Sequence, residues 1–110
     1  MAGNNIRIRG LTGLPEIQPG DDLCRMILGS VGQAEPAAVF VIAQKVVSKA
    51  ENRVIALDTV EPSPKATAWA AQHHKDPRFV EIVLRESRRI VRMERGVIIA
   101  ETHHGFVCAN

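Results

Sequence analysis

The sequence predicts an α/β fold (mixed α+β) in which short helices are inserted among strands of a single small domain. Residues 38–43 (AVFVIA) form a continuous apolar run, which is typical of a strand buried on both faces. Ser-Pro at 63–64 and Asp-Pro at 76–77 each have the pattern of a helix start. Apolar segments at 90–93 and 97–100 have the length of strands rather than helices.

The first half of the chain is predicted to contain strands, one ordered loop and one helix. Glycines and prolines recur between residues 10 and 20 and predict the loop. Asp21 or Asp22 can cap a short helix that ends near Ser30 and is followed by a turn at 32–36. Three segments are predicted as strands: residues 6–9, where isoleucine alternates with arginine, residues 38–43, and residues 53–57.

The second half is predicted to contain two helices followed by strands. Ser63 caps the first helix, Pro64 lies in its first turn, and the helix ends near His74. Asp76-Pro77 begins the second helix. Its apolar face consists of Phe79, Val80, Val83 and Leu84. The strands at 90–93 and 97–100 join near Arg95-Gly96, and residues 106–108 begin another strand.

Composition indicates a globular cytoplasmic protein. Hydrophobic residues make up 45% and charged residues 24% of the 110 residues, and a net charge of +2 is too weak to indicate nucleic acid. The first ten residues lack the apolar segment of a secretory leader, and no apolar run reaches the roughly 20 residues of a membrane helix. Cys24 and Cys108 are expected to be buried and reduced.

Two segments have residue types that suit a nucleotide. The loop at 13–17 (GLPEI) can present backbone N–H groups to an anion or a base edge, although a structural turn is the simpler interpretation. Residues 44–49 (QKVVSK) follow the apolar run and would bring two lysines to a sheet edge, where ligands commonly bind. A solvated strand end is the alternative there. Neither a Walker motif nor a Rossmann fingerprint is present.

Other polar clusters predict less. The arginines between residues 85 and 95 alternate with glutamates and indicate a charged helix face, with RNA binding as the alternative. The pairs His73-His74 and His103-His104 lack metal-ligand spacing, so no metal ligand is predicted. Asp58 and Glu101 have no partner at a diagnostic spacing, and the catalytic residues are unknown.

An ordered series of segments nevertheless resembles the coenzyme F420-0:L-glutamate ligase family. The series covers nearly the whole chain from Ile6 onward, and its order is more specific than any single member. The segments are GLPEI at 13–17, PGDDL at 19–23, QKVVSKAE at 44–51, VEPSP at 60–64, KDPR at 75–78, LRES at 84–87 and ETHHGFVCAN at 101–110.

The resemblance implies a γ-glutamyl ligase that uses GTP and Mg²⁺ or Mn²⁺ to join L-glutamate to the deazaflavin F420 precursor, in an enzyme that is a homodimer. It implies GTP contacts by Leu14, Pro15, Glu16, Ile17, Gln44 and Lys49. The family's metal-binding residues are expected beyond Asn110, so residues 1–110 would be the N-terminal part of the ligase domain and inactive alone. A non-catalytic nucleotide-binding or assembly module is the alternative.

Overall fold

The computed structural model describes residues 3–110. Met1 and Ala2, the first two of the ten residues that lack the apolar segment of a leader, lie outside the described residues. The described chain forms mixed helices and strands, which confirms the predicted α/β class. It divides after Val54 into an N-terminal unit and a C-terminal unit. The elements are α1 (Leu23–Val31), α2 (Gln44–Ala50), a 3₁₀ turn (Leu57–Thr59), α3 (Pro64–His73), α4 (Pro77–Arg85), β1 (Ser87–Glu94), β2 (Val97–Thr102) and β3 (Val107–Ala109).

The N-terminal unit contains α1 and α2. The carboxylate of Asp22 accepts a hydrogen bond from the backbone N–H of Arg25 at 3.0 Å, which confirms the predicted N-cap of α1. The helix ends at Gly32, whose φ of 73° lies in the left-handed region that glycine adopts without strain. The predicted apolar face of α1 is half-buried, and its members are Leu23, Met26, Ile27 and Val31.

The three strands predicted in the first half are wrong. Residues 6–9, 38–43 and 53–57 pair with no strand among residues 3–110, and Val41 is 93% exposed. A strand requires hydrogen bonds from a neighbouring strand, whereas the bonds of a helix close within four residues. The segment after the apolar run therefore forms α2 rather than a strand end, with the N–H of Val46 donating to the carbonyl of Ala43.

The C-terminal unit begins with two helices whose starts are as predicted. The Ser63 hydroxyl accepts from the N–H of Ala66 at 3.2 Å, and the Asp76 carboxylate accepts from the N–H of Arg78 at 2.9 Å. Each cap satisfies a backbone donor that has no partner inside the helix, and the proline that follows needs no such partner. α3 and α4 pack against each other.

Three antiparallel strands follow in the order β1-β2-β3. Arg95 and Gly96 join β1 to β2 with φ angles of 52° and 78°, the geometry of a tight hairpin turn. Ile90 and Ala100 are paired across β1 and β2, and Ala100 pairs in turn with Cys108 of β3. The predicted strands and turn of the second half are confirmed.

The core of the C-terminal unit lies between its helices and one face of the sheet. Its buried members are Ala66, Ala70, Val80, Ile98 and Ala100, and Trp69, Val83, Leu84, Ile90 and Met93 pack against them. Ala66 and Ala70 of α3 lie in this core with little side-chain volume, and Val80 and Ile98 are its largest fully buried side chains.

Two expectations about this unit are wrong. Phe79 was expected on the apolar face of α4 but is 55% exposed, because the side of α4 that meets the core carries Val80, Val83 and Leu84. The arginines after residue 86 were expected on a helix but lie on or beside β1, with Ser87 as the first strand residue. In an edge strand, exposed charges of this kind oppose pairing with another chain.

The cysteines are also exposed rather than buried. Cys24 is the second residue of α1, and its side chain is exposed. Cys108 is in register with Ala100, but β3 is a three-residue edge strand whose side chains are all exposed. The apolar neighbours of Cys108 in the sequence therefore do not bury its thiol.

Candidate functional site

The loop at residues 14–17 is fixed by hydrogen bonds on its C-terminal side. The N–H of Gln18 donates to the Asp21 carboxylate at 2.7 Å, and the N–H of Asp21 donates to the carbonyl of Gln18 at 3.1 Å. The N–H of Gly20 donates to the carbonyl of Ala50, the last residue of α2, at 2.8 Å. These bonds hold the loop beside α2, so a sequence separation of about thirty residues is closed within one unit.

A cavity of about 1330 Å³ lies in the N-terminal unit between this loop, the apolar face of α1 and α2. It exceeds the roughly 300–1,000 Å³ typical of small-molecule sites, so its volume can accommodate a nucleotide. Five of the six residues predicted to contact GTP line it: Leu14, Pro15, Glu16, Ile17 and Lys49. Gln44, the first residue of α2, is exposed and does not line the cavity.

Glu16 and Lys49 form an ion pair at the cavity wall. The hydrogen bond and the positive charge of Lys49 hold the pKa of the Glu16 carboxyl below its ordinary value, and the charge of Lys45 lowers it further. Lys49 is the more enclosed partner, with 33% of its side chain exposed against 72% for Glu16. The Lys49 ammonium is thus the more enclosed charge of the pair, and the Glu16 carboxylate is the more exposed one.

Lys45 also lines the cavity, although it is not among the GTP contacts that the resemblance implies. It lies four residues before Lys49 on α2, a spacing that places both side chains on one face of the helix, and both line the cavity. Leu14, Ile17 and Val46 line the same cavity with apolar side chains. An apolar wall beside two cations suits a ligand with a flat base and an anionic tail.

The polar clusters of the C-terminal unit assemble no reactive centre among the described residues. Glu101 pairs with Arg88 at 3.7 Å and with Arg89 at 2.9 Å, so these charges offset one another. The His73 ring packs on the Trp69 ring with centroids 4.5 Å apart. Across residues 3–110, no three His, Cys, Asp or Glu side chains come together as a metal-ligand set. The described residues therefore do not fit the divalent metal that the resemblance implies.

No helix within residues 3–110 has both the length and the apolar character required to cross a membrane.

Comparison with known proteins matches the sequence motifs to one family. The family model described as F420-0:gamma-glutamyl ligase matches residues 12–110. The coenzyme F420:L-glutamate ligase of Methanothermobacter thermautotrophicus is 39% identical over 109 residues, which cover 96% of this chain and 43% of that protein.

Two further coenzyme F420:L-glutamate ligases show the same pattern. That of Methanopyrus kandleri is 48% identical over 95 residues, covering 86% of this chain and 37% of that protein. That of Halorubrum lacusprofundi is 40% identical over 104 residues, covering 89% of this chain and 41% of that protein. The chain spans about two fifths of the length of these relatives. Because the family model matches nearly the whole sequence, the chain belongs to the F420-0:gamma-glutamyl ligase family.

Proposed function

We propose that this chain supplies the nucleotide-binding part of a GTP-dependent ligase that adds L-glutamate to the deazaflavin coenzyme F420 precursor. One observation carries the proposal: the loop at 14–17 and Lys49, distant in sequence, line one cavity of the N-terminal unit. Family membership supplies the ligase class, since the relatives bear the name coenzyme F420:L-glutamate ligase.

The proposed reaction has two steps. The terminal phosphoryl group of GTP passes to the phospholactyl carboxylate of the precursor, which gives an acyl phosphate and GDP. The amine of L-glutamate then attacks the acyl carbon, and the amide forms as phosphate leaves. Lys49 and Lys45 would bind the phosphates and offset their charge, while Leu14 and Ile17 would pack against the base.

Mg²⁺ or Mn²⁺ is proposed as the metal of the whole enzyme, and residues 3–110 supply no ligand set for it. The homodimer and the cytoplasmic location of the whole enzyme likewise stay proposals that rest on the resemblance. We expect the 110-residue chain alone to form no glutamate adduct of the precursor; a product of the corresponding mass would contradict that expectation.

Calorimetric titration of the chain with GTP tests the nucleotide site. We expect Lys49→Ala to weaken GTP binding at least about tenfold, because a charge-assisted phosphate contact of about 1.5–3 kcal/mol is lost. Lys65→Ala, which removes an exposed lysine from α3, is the matched control and should leave the affinity unchanged. Equal GTP affinity in the wild type and in Lys49→Ala would refute the assignment of Lys49.

A non-catalytic assembly module is the second candidate, and one observation favours it. Val39 and Val41 are 85% and 93% exposed in an extended apolar segment whose backbone has no strand partner among the described residues. Such a segment can pair with a strand of another chain. Val41→Lys should then abolish self-association in sedimentation, whereas a ligase half-site predicts no change in sedimentation.

A further inference from the structure

We infer that Glu16 is an internal placeholder for an anionic group of the ligand, so that Lys49 exchanges the Glu16 carboxylate for a phosphate when nucleotide binds. This inference rests on the proposed function for the identity of the nucleotide, but its core is the contact between two side chains of one cavity. A carboxylate and a phosphate offer lysine the same chemistry, which is an anionic oxygen acceptor.

The Glu16–Lys49 pair is not needed to hold the loop. The backbone bonds of Gln18 and Gly20 already fix the chain beside α2, and neither involves the Glu16 side chain. Glu16 itself is mostly exposed, and an exposed ion pair adds little to stability. A pair with so small a structural contribution can open without disturbing the loop, which is what an exchangeable contact requires.

The position of the pair gives the exchange its direction. Lys49 is the enclosed partner and Glu16 the exposed one, so an entering anion can take over Lys49 while the carboxylate rotates into water. Lys45 adds positive charge on the same face of α2, which holds Glu16 in place while the site is empty and attracts the incoming phosphate. The carboxylate thus competes with the ligand for one cation.

Removing the charge of Glu16 should therefore tighten binding. We expect Glu16→Gln, which keeps the size of the side chain, to raise the affinity for GTP and for inorganic triphosphate about two- to fivefold, the range expected for loss of one exposed ion pair. The gain should vanish in the Lys49→Ala background, because no cation is then released. Glu94→Gln, which removes an exposed carboxylate paired with Arg92 at 3.5 Å, is the matched control.

Carbon-13 NMR of the Glu16 carboxyl supplies an independent measure. We expect its pKa to lie below the ordinary 4.5 in the free chain, and to return towards that value in Lys49→Ala and at saturating inorganic triphosphate. Weaker or unchanged triphosphate affinity in Glu16→Gln, or a pKa that stays low at saturation, would overturn the placeholder.

Titrations with GTP and with inorganic triphosphate distinguish the proposed nucleotide site from the placeholder role of Glu16. A chain that binds inorganic triphosphate more tightly in Glu16→Gln, but does not bind GTP, would keep the placeholder and refute the proposed nucleotide. GTP binding that depends on Lys49 and falls in Glu16→Gln would keep the nucleotide site and make Glu16 a direct ligand contact. If neither GTP nor triphosphate binds, both the proposed function and the placeholder are refuted.

Discussion

The two units differ in how completely their side chains are buried. The C-terminal unit buries Val80 and Ile98 almost completely, whereas no described residue of the N-terminal unit is fully buried. The N-terminal unit nonetheless contains the longest apolar run of the chain, which includes residues 38–43. Apolar sequence is therefore not sufficient for a core, because burial depends on whether a partner surface is present.

The difference follows from the sequence separation between the segments that are in contact in each unit. In the C-terminal unit, β1 and β2 are joined by a two-residue turn, and α3 and α4 are adjacent in sequence. Local connections of this kind close at a small cost in chain entropy. In the N-terminal unit the link between the 14–17 loop and α2 is made across a long intervening segment. The N-terminal unit contains a cavity of about 1330 Å³ rather than a packed interior.

The largest expected effect that separates the units is on unfolding. Ile98→Ala should lower the free energy of unfolding of the C-terminal unit by about 2–5 kcal/mol, because it removes a fully buried side chain and leaves a cavity. Trp69, the single tryptophan of the chain, packs against this core, and its fluorescence reports the unfolding transition. Val41→Ala is the control. Because Val41 is 93% exposed, this variant should change the same free energy of unfolding by less than about 0.5 kcal/mol. Equal effects of the two variants would contradict the contrast.

A smaller effect is expected at Glu81, a buried carboxylate that joins α4 to the start of α3. Hydrogen bonds from the Ser63 hydroxyl, from the N–H of Ser63 at 2.8 Å and from Nε of Arg85 at 2.7 Å lower the pKa of its carboxyl to about 2. Since the folded pKa lies below the ordinary 4.5, its stabilisation is complete above pH 4.5 and is lost as the pH falls towards 2.

Glu81→Gln should therefore lower the unfolding midpoint at pH 7, by less than Ile98→Ala does. The difference from wild type should shrink as the pH falls from about 4.5 to about 2. Thermal unfolding followed at Trp69 over this pH range measures it, with Glu94→Gln as an exposed control. A difference that stays constant with pH would show that Glu81 contributes through packing rather than charge.

The sequence predicted the C-terminal unit better than the N-terminal unit for the same physical reason. Ser63 and Asp76 could be recognised as caps because a cap bonds to a backbone N–H two or three residues away. The 38–43 segment could not be resolved in this way, since an apolar run indicates burial without naming the strand that must pair with it. The candidate site was found in part: Lys49 came from the resemblance to the family. Its contact with Glu16 depends on a loop geometry that no spacing encodes.

The smallest effect on stability, and the clearest on chemistry, is expected at the two cysteines. Both thiols were expected to be buried and reduced, but Cys24 and Cys108 are both exposed, one in each unit. Both should react with a chromophoric disulfide reagent in the native protein, at rates within about tenfold of those in denaturant. Cys24→Ser and Cys108→Ser should each remove one equivalent of reactive thiol, with little change in the Trp69 midpoint.

Cys108 is the sharper test of the two, because its backbone is hydrogen-bonded in β3 while its side chain lies at the open edge of the sheet. A thiol can be reactive in an ordered strand provided that its sulfur is accessible. If Cys108 reacted only on global unfolding while Cys24 reacted at once, the sheet edge would be covered in solution. The edge of β3 would then be as well protected as the core of the C-terminal unit, in contrast to the N-terminal unit.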